Sequence, residues 1–336
     1  MNIYFTGYTK KFLTKPHTNY WPWQYLVKTI KDIGYSAYHI ELSKVDFSKP
    51  HAFICWNSPD SIQLIEKYNP HKDSIIIQKL THLDTGTESR AWKANHDNFF
   101  EKLKSWSWPQ YQKLELLEKS GYQFYAFGAK TDINSFEEKK RIVQKYRDQI
   151  FWIPWGSMTI PYEQILESKP ILSNFKYDIG YVGSKWGTNS RGNQWEWDHY
   201  LKPLINNVNS SYIAGRGTSK GIVSIKKHIK ILKESTICPI IHASGWKAEK
   251  GIMDRFWTVF SLGRFGVVDN LGVYDFFREQ DVVVETDSDA YIDKSLYFIR
   301  KPQKQKKYIE NIQKKIKAEY NQHIVWKNIL NKIFKK

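Results

Sequence analysis

The sequence predicts an α/β protein built as two doubly wound, Rossmann-like halves facing a cleft, and three observations predict it. Short β-rich runs alternate with helical patterns from the first residues onward. The alternation is broken once, over 154–173, where Pro154, Gly156, Pro161 and Pro170 interrupt a stretch of weak periodicity that fits a hinge. The 336 residues also suffice for two domains of about 150 residues each.

In the first half, strands are expected at 3–6, 37–42, 52–56, 74–78, 122–127 and 149–153, with helices at 23–33, closed by Gly34, and at 61–67, 110–119 and 136–146. In the second half, strands are expected at 177–182, 211–214, 237–242, 265–268 and 282–285, with helices at 194–205, 222–232, 253–262 and 290–299. Parallel sheets covered by helices account for both patterns. The expected domains are 1–160 and 161–302, followed by a basic tail over 303–336. Two such halves joined by a hinge put the functional cleft at the carboxyl ends of both sheets.

Charge narrows the range of partners. There are 51 Lys and Arg against 34 Asp and Glu, a net +17, which favours phosphate-rich partners. Much of the excess lies in 294–336, where 13 basic residues face only Glu310 and Glu319. Tyr308, Ile309, Ile312 and Ile316 recur there at helical spacing, so the tail reads either as a packed helix with a solvated lysine face or as part of a polyanion-binding surface. Cys55 and Cys238 both sit in apolar runs, and two cysteines make neither a disulfide framework nor a four-thiolate zinc site, which implies a reduced, cytoplasmic setting. No stretch approaches 18 consecutive apolar residues, and the N-terminus has the reverse of a secretory pattern, so a soluble chain without a membrane span is expected.

Two stretches carry the chemistry. In YDIGYVGSKWGTNSR, residues 177–191, a strand runs into Gly183-Ser184 and then a Gly-, Ser- and Asn-rich turn with Lys185 and Arg191. A glycine lets backbone N–H groups approach a phosphate, a serine adds a donor, and an arginine clamps two oxygens; the bland reading is an ordinary βα turn. No G-x-x-x-x-G-K-[ST] spacing occurs, which argues against a P-loop ATPase or kinase. In the second stretch, 239–270, a strand ends at His242, a Gly- and Ser-rich loop follows, and a helix carries Arg255 and Thr258 at i and i+3, on one face. Lys247, Lys250 and Arg264 add positive charge nearby, while pairing with Asp254 or simple surface exposure is the alternative for Arg255.

These two stretches resemble the nucleotide-binding domain of GT-B glycosyltransferases, of the spore-maturation-protein type and of the phage DNA β-glucosyltransferase type. In that family a strand-G-S turn followed by an arginine contacts the sugar-nucleotide diphosphate, and Gly183, Ser184 and Arg191 match it. An R-x-W-E helix opening places arginine on the phosphates and glutamate on the ribose. Here Arg255, Phe256, Trp257 and Thr258 stand in that order, so Arg255 and Trp257 match while Thr258 replaces the glutamate. Ile241 and His242 fall where the family holds the base through backbone, and Gly215, after the strand expected at 211–214, is counted with the donor contacts. The resemblance covers roughly 177–300, and the first half by architecture. It implies a nucleotide-diphosphate-sugar donor, most simply a UDP-sugar, bound by the second domain, with no tightly bound cofactor, and an acceptor bound mainly by the first domain. It also implies a C-terminal helix that crosses back.

Sugar transfer needs positive charge for the departing diphosphate, supplied by Arg191 and Arg255 with Lys185, and a base for the acceptor hydroxyl. The loop LTHLDTGTESR, 80–90, follows a predicted strand and offers Asp84, then His82, with His17 third; Asp84 as a plain turn residue before Thr85-Gly86 is the alternative. A base and the resemblance together favour inversion. Asp287-Ser288-Asp289 contains a D-x-D, a pattern that binds a divalent metal in the other glycosyltransferase architecture, but its place before a helix reads as an N-cap; the His and Cys spacings offer no zinc site, and a divalent metal is allowed but not required. Trp92, Trp106 and Trp108 alternate with Arg90, Lys93, Lys102 and Lys104, either to contact nucleic acid or to pack a core under snorkelling lysines.

Three functions follow: transfer of sugar to hydroxymethylated bases of duplex DNA, as in viral DNA modification; transfer to a glycan, cell-surface polymer or protein; or nucleic-acid binding without catalysis, to which only the glutamate missing at Thr258 points.

Overall fold

The computed structural model describes residues 1–6, 25–55, 61, 64–80, 110–129, 141, 143–154, 160–185, 193–248 and 250–334. They form two compact units, one reaching to Ile153 and resuming at Gln322, the other spanning Pro154–Asn321.

In the first unit β1 (Ile3–Thr6), α1 (Leu26–Asp32), β2 (Ala37–His39), β3 (Ala52–Cys55), β4 (Ile75–Lys79), α2 (Gln110–Lys119), β5 (Gln123–Ala129) and β6 (Ile150–Ile153) follow in order. The six strands make one parallel sheet, β2-β1-β3-β4-β5-β6, with Ile3 opposite both Ala37 and Ala52 and Ile75 opposite Gln123. The chain moves outward from β1 to β2 and then back past β1 to β3, the reversal that defines a doubly wound sheet. β3 and β4 are buried along their whole length, which is why AFIC and III read as continuous apolar runs. Their core includes Phe53, Leu64, Ile76, Leu114, Leu117 and Phe124. The strand expected over 37–42 stops at His39, because β2 is an edge strand paired over three residues, and the chain then tightens into a 3₁₀ turn at Leu42–Lys44.

The second unit begins with α3 (Tyr162–Glu167), inside the stretch expected to be a hinge. Ile160 and Ile165 are buried in this unit's core, so the segment is anchored rather than free. β7 (Tyr177–Val182), α4 (Gln194–Glu196, continued by a π-type turn at Trp197–Leu201 and by Lys202–Asn206), β8 (Ser211–Ala214), α5 (Ile225–Lys233) and β9 (Ser235–Ile237) follow. α5 starts later than the pattern suggests because Ser224 caps it, its Oγ accepting from the Lys227 N–H at 3.2 Å.

The regular sheet is β8-β7-β9, all parallel. The strands expected at 237–242, 265–268 and 282–285 are extended segments joined by single bridges, Ile240 to Val268 and Val268 to Val284. They continue the sheet beyond β9, with the Cys238 N–H on the Phe265 carbonyl at 2.8 Å. The Tyr291 hydroxyl enters between them, accepting from the Ile240 N–H and donating to the Val267 carbonyl, and so shares the two groups that also bond each other across the ladder at 3.2 Å. α6 (Ser244–Ala248), α7 (Asp254–Ser261), α8 (Ser288–Arg300) and α9 (Lys306–Lys315) complete the unit.

α10 (Gln322–Ile333) belongs to the first unit. Trp326 is fully buried with its ring 5.2 Å from Phe127, and the Tyr35 hydroxyl donates to Asn331 Oδ1 at 3.0 Å. The divisions therefore fall after Ile153 and after Asn321 rather than after 160 and 302, because Ile309, Ile312 and Ile316 are buried in the second unit's core. Among the described residues no helix is long and apolar enough to cross a membrane.

Candidate functional site

The parallel strands of the second unit bring three turns together at their carboxyl edge. β7 leaves the sheet at Gly183, whose N–H donates to the Ala214 carbonyl at the end of β8. The Lys185 N–H donates to the Arg216 carbonyl, and Asn193 Nδ2 donates to the Ser184 carbonyl, both at 2.8 Å. The turn is thus tied to its neighbours on both sides. Lys185 Nζ lies 5.6 Å from the centre of the Trp197 ring.

Arg255, near the start of α7, reaches into this corner. Its Nη1 donates to the Ile241 carbonyl at 2.8 Å, and its guanidinium carbon sits 4.1 Å from the centre of the Tyr181 ring. Two glycines make room for it. A Cβ on Gly183 would lie 2.1 Å from Arg255 Nη2, and one on Gly215, at φ +138, would lie 2.1 Å from the Gly183 carbonyl oxygen. Burial pushes the Tyr181 phenol above its ordinary pKa while the Arg255 charge pulls it down, as expected for a cation held in a low-dielectric wall. Arg255 Nε is buried without a hydrogen-bond partner, and Arg255 makes no ion pair among the described residues, Asp254 included. A guanidinium so placed has donor capacity and charge left for an anion.

Beside this corner lies a second, more deeply buried group. Asp269 accepts from the His242 backbone N–H at 2.9 Å, and its Oδ1 lies 2.7 Å from His242 Nδ1, with both side chains fully buried. Lys247 Nζ is 3.4 Å from both Asp269 and Glu196, and the Ser244 hydroxyl donates to Glu196. The same ammonium lies 5.2 Å from the centre of the Trp195 ring. His242 Nε2 and Glu196 Oε2 are buried without partners. Through residue 242 this network holds the backbone whose preceding carbonyl, that of Ile241, receives Arg255.

Gly183, Ser184, Lys185, Gly215, Ile241 and Arg255, singled out from the sequence, come together here. The backbone N–H of His242 goes to Asp269. Two expectations are corrected. Thr258 is 2% exposed, on the core side of α7, so it does not share an open face with Arg255. Arg264 does not add charge at this edge, because it is buried with its guanidinium on the carbonyls of Ile171, Ser235 and Thr236. Asp287 caps α8, accepting from the Asp289 and Ala290 N–H groups. Among the described residues no group of His, Cys, Asp and Glu could hold a metal. Arg191, Asp84, His82, His17, Arg90, Trp92, Lys93, Lys102 and Lys104 lie outside the described residues. Tyr181, Glu196 and Asp269 were not singled out, although a glutamate inside an amphipathic helix and an aspartate ending an apolar run are both visible signals.

Two units of helix-covered parallel sheet define the class: the fold is that of the GT-B glycosyltransferases. Among solved structures, the chain is similar to a T4 phage BGT mutant in complex with UDP-glucose, at 12% identity and TM-score 0.62 over 98% of each chain. It is also similar to the DNA-modifying enzyme β-glucosyltransferase, determined with and without uridine diphosphoglucose, at 11% identity and TM-score 0.61 over 100% of each chain. TarM matches at 12% identity and TM-score 0.54, over 84% of this chain and 54% of its own. No protein-family model matches the sequence, and no curated protein matches it.

Proposed function

We propose that this protein is a glycosyltransferase that moves a sugar from a nucleotide-diphosphate donor, a UDP-sugar, to hydroxymethylated bases of duplex DNA, with inversion. The observation that carries the proposal is the Arg255 guanidinium, packed against Gly183 at the carboxyl edge of the second sheet with its Nε unpartnered. In this reading the diphosphate binds at the Gly183-Ser184 turn, Arg255 and Arg191 stabilise the charge that develops on it as the glycosidic bond breaks, and Lys185 assists. Asp84, with His82 and His17 as alternatives, takes the proton of the attacking hydroxyl. The arginines meet the need for positive charge, so the sequence does not require a divalent metal.

The fold shared with the UDP-glucose-bound phage protein and the DNA-modifying enzyme supports the donor and acceptor classes, as does the net charge of +17. Arg90, Trp92, Lys93, Lys102 and Lys104 are the proposed DNA contacts of the first domain, and the host cytoplasm is the proposed setting.

The test offers a panel of nucleotide sugars with hydroxymethylated duplex DNA, unmodified DNA and simple glycans, and follows mass gain on each acceptor. Gain on hydroxymethylated DNA alone is expected, and Arg255→Ala should lower it by about 10²- to 10³-fold. Gain on glycans alone replaces the acceptor, and intact turnover in Arg255→Ala removes the donor site.

A further inference from the structure

At the opposite edge of the second unit, α8 hands over to α9 through a short turn that carries an unusual charge. Arg300, Lys301, Lys304, Lys306 and Lys307 fall within eight residues that contain no Asp or Glu, and all five are exposed. The turn is anchored from beneath: Gln305 is fully buried, and its Nε2 donates to the carbonyls of Thr236, in β9, and of Phe298. Gln303 reaches the Leu172 carbonyl as well. These contacts place the turn where β9 begins, whereas Gly183 and Arg255 lie where β7 ends. A six-residue strand at about 3.3 Å per residue separates the two edges by about 20 Å.

A cavity of about 420 Å³ opens at this turn, lined by Tyr297, Phe298 and Tyr308 together with Lys304, Lys306 and Lys307. The rings do not present free faces. Lys301 Nζ lies 5.2 Å from the centre of the Tyr297 ring, and Lys307 Nζ lies 4.7 Å from that of Tyr308. Tyr308 is fixed in turn by edge contacts to Phe298 and by Phe265. The aromatics therefore hold cations in place and are not free to stack on bases, so the surface matches phosphates and not exposed rings. Glu310 lies 3.8 Å from Lys306 in an exposed pair, which costs the patch little of its charge. Of the large apolar side chains exposed among the described residues, Tyr297 alone lies here, beneath Lys301, so the patch lacks the apolar wedge that a membrane surface would need.

We infer that this turn is a second nucleic-acid contact, which grips the phosphate backbone of duplex DNA without reading sequence, apart from the donor site. The separation of about 20 Å exceeds the screening length of about 8 Å at physiological salt, so its cations act on phosphates of their own and not on the diphosphate. The inference adds to the acceptor reading without depending on it, since binding a duplex needs no sugar transfer.

The experiment measures binding of an unmodified duplex oligonucleotide by fluorescence anisotropy across a salt titration, for the full chain and for the triple variant Lys304→Ala, Lys306→Ala, Lys307→Ala. A control triple variant, Lys226→Ala, Lys227→Ala, Lys230→Ala, removes the same charge from α5. Expected is a salt dependence shallower by about two to three units of log–log slope and an affinity lower by roughly tenfold, in the first variant only. UDP-glucose binding, followed by calorimetry, should be unchanged in both. Equal losses in the two variants, an unchanged slope, or a loss of binding to phosphatidylserine vesicles with none to DNA would each overturn the inference. Duplex binding through this turn with no sugar transfer to any DNA would leave it standing while removing the acceptor reading.

Discussion

Arg255 is held from three directions: the Ile241 carbonyl takes one N–H, the Tyr181 ring backs the plane, and Gly183 admits the second terminal nitrogen. The Ile241 carbonyl is positioned in its turn by Asp269, which grips the next residue through both backbone and imidazole. Asp269→Ala should therefore cost about 3–5 kcal/mol, because it leaves the backbone and imidazole N–H groups of His242 unpaired in a dry interior, while Lys247 keeps Glu196 as its partner, and denaturant unfolding measures it. A cost below about 1 kcal/mol would mean that water already reaches the network. The arginine and the glycines were legible in the sequence because a G-S turn after a strand and an arginine opening a helix have a local signature. The partners Asp269 and Glu196 leave a trace in the pattern but not their role, since what makes them matter is burial beside His242 and Lys247, whose separations in sequence carry no period. Cys238 illustrates the same limit in a milder form. Its apolar run was readable, but only the packing shows how far desolvation pushes its thiol, to about 11, which leaves it a poor nucleophile.

At the scale of elements, the two glycines of the turns should respond differently to the same added methyl. In Gly183→Ala the nearest obstacle is the end of a flexible arginine, which can swing aside, and the Tyr181 ring at 3.0 Å has to give by a few tenths of an ångström, so the fold should survive with a stability change of about 1 kcal/mol while donor affinity falls at least tenfold. In Gly215→Ala the obstacle is the Gly183 carbonyl, a backbone atom, and the residue sits at φ +138, so fold and binding should fail together. Thermal unfolding and nucleotide titration of the pair check this, and matched behaviour would contradict it. Element types were largely readable because the apolar periods are clear: β7, β8 and α2 occupy the expected residues. The misjudged stretches share a cause. α3 hides among prolines, and the extended segments around Ile240 and Val267 are tied together by the distant Tyr291 hydroxyl, which no local pattern announces.

At the scale of the whole molecule, the last helix is a structural part of the first unit. Its apolar face, with Trp326, Ile329, Leu330 and Ile333, is buried, and His323 lies 3.2 Å from Asp32 of α1. Trp326→Ala removes a fully buried indole and should destabilise the first unit by about 3–5 kcal/mol. The expected readout is a lowered first transition in calorimetry with the second unit's transition unchanged, and one common shift of both would argue against it. Chain order gives this arrangement a temporal side. On a ribosome, everything from Pro154 to Asn321 emerges before the segment that seals the first sheet, so the later-coded unit can mature first while the earlier one waits, its hydrophobic flank open, for residues 322–333. A frameshift in the codons for residues 322–333 would therefore do its damage in the unit coded before residue 154.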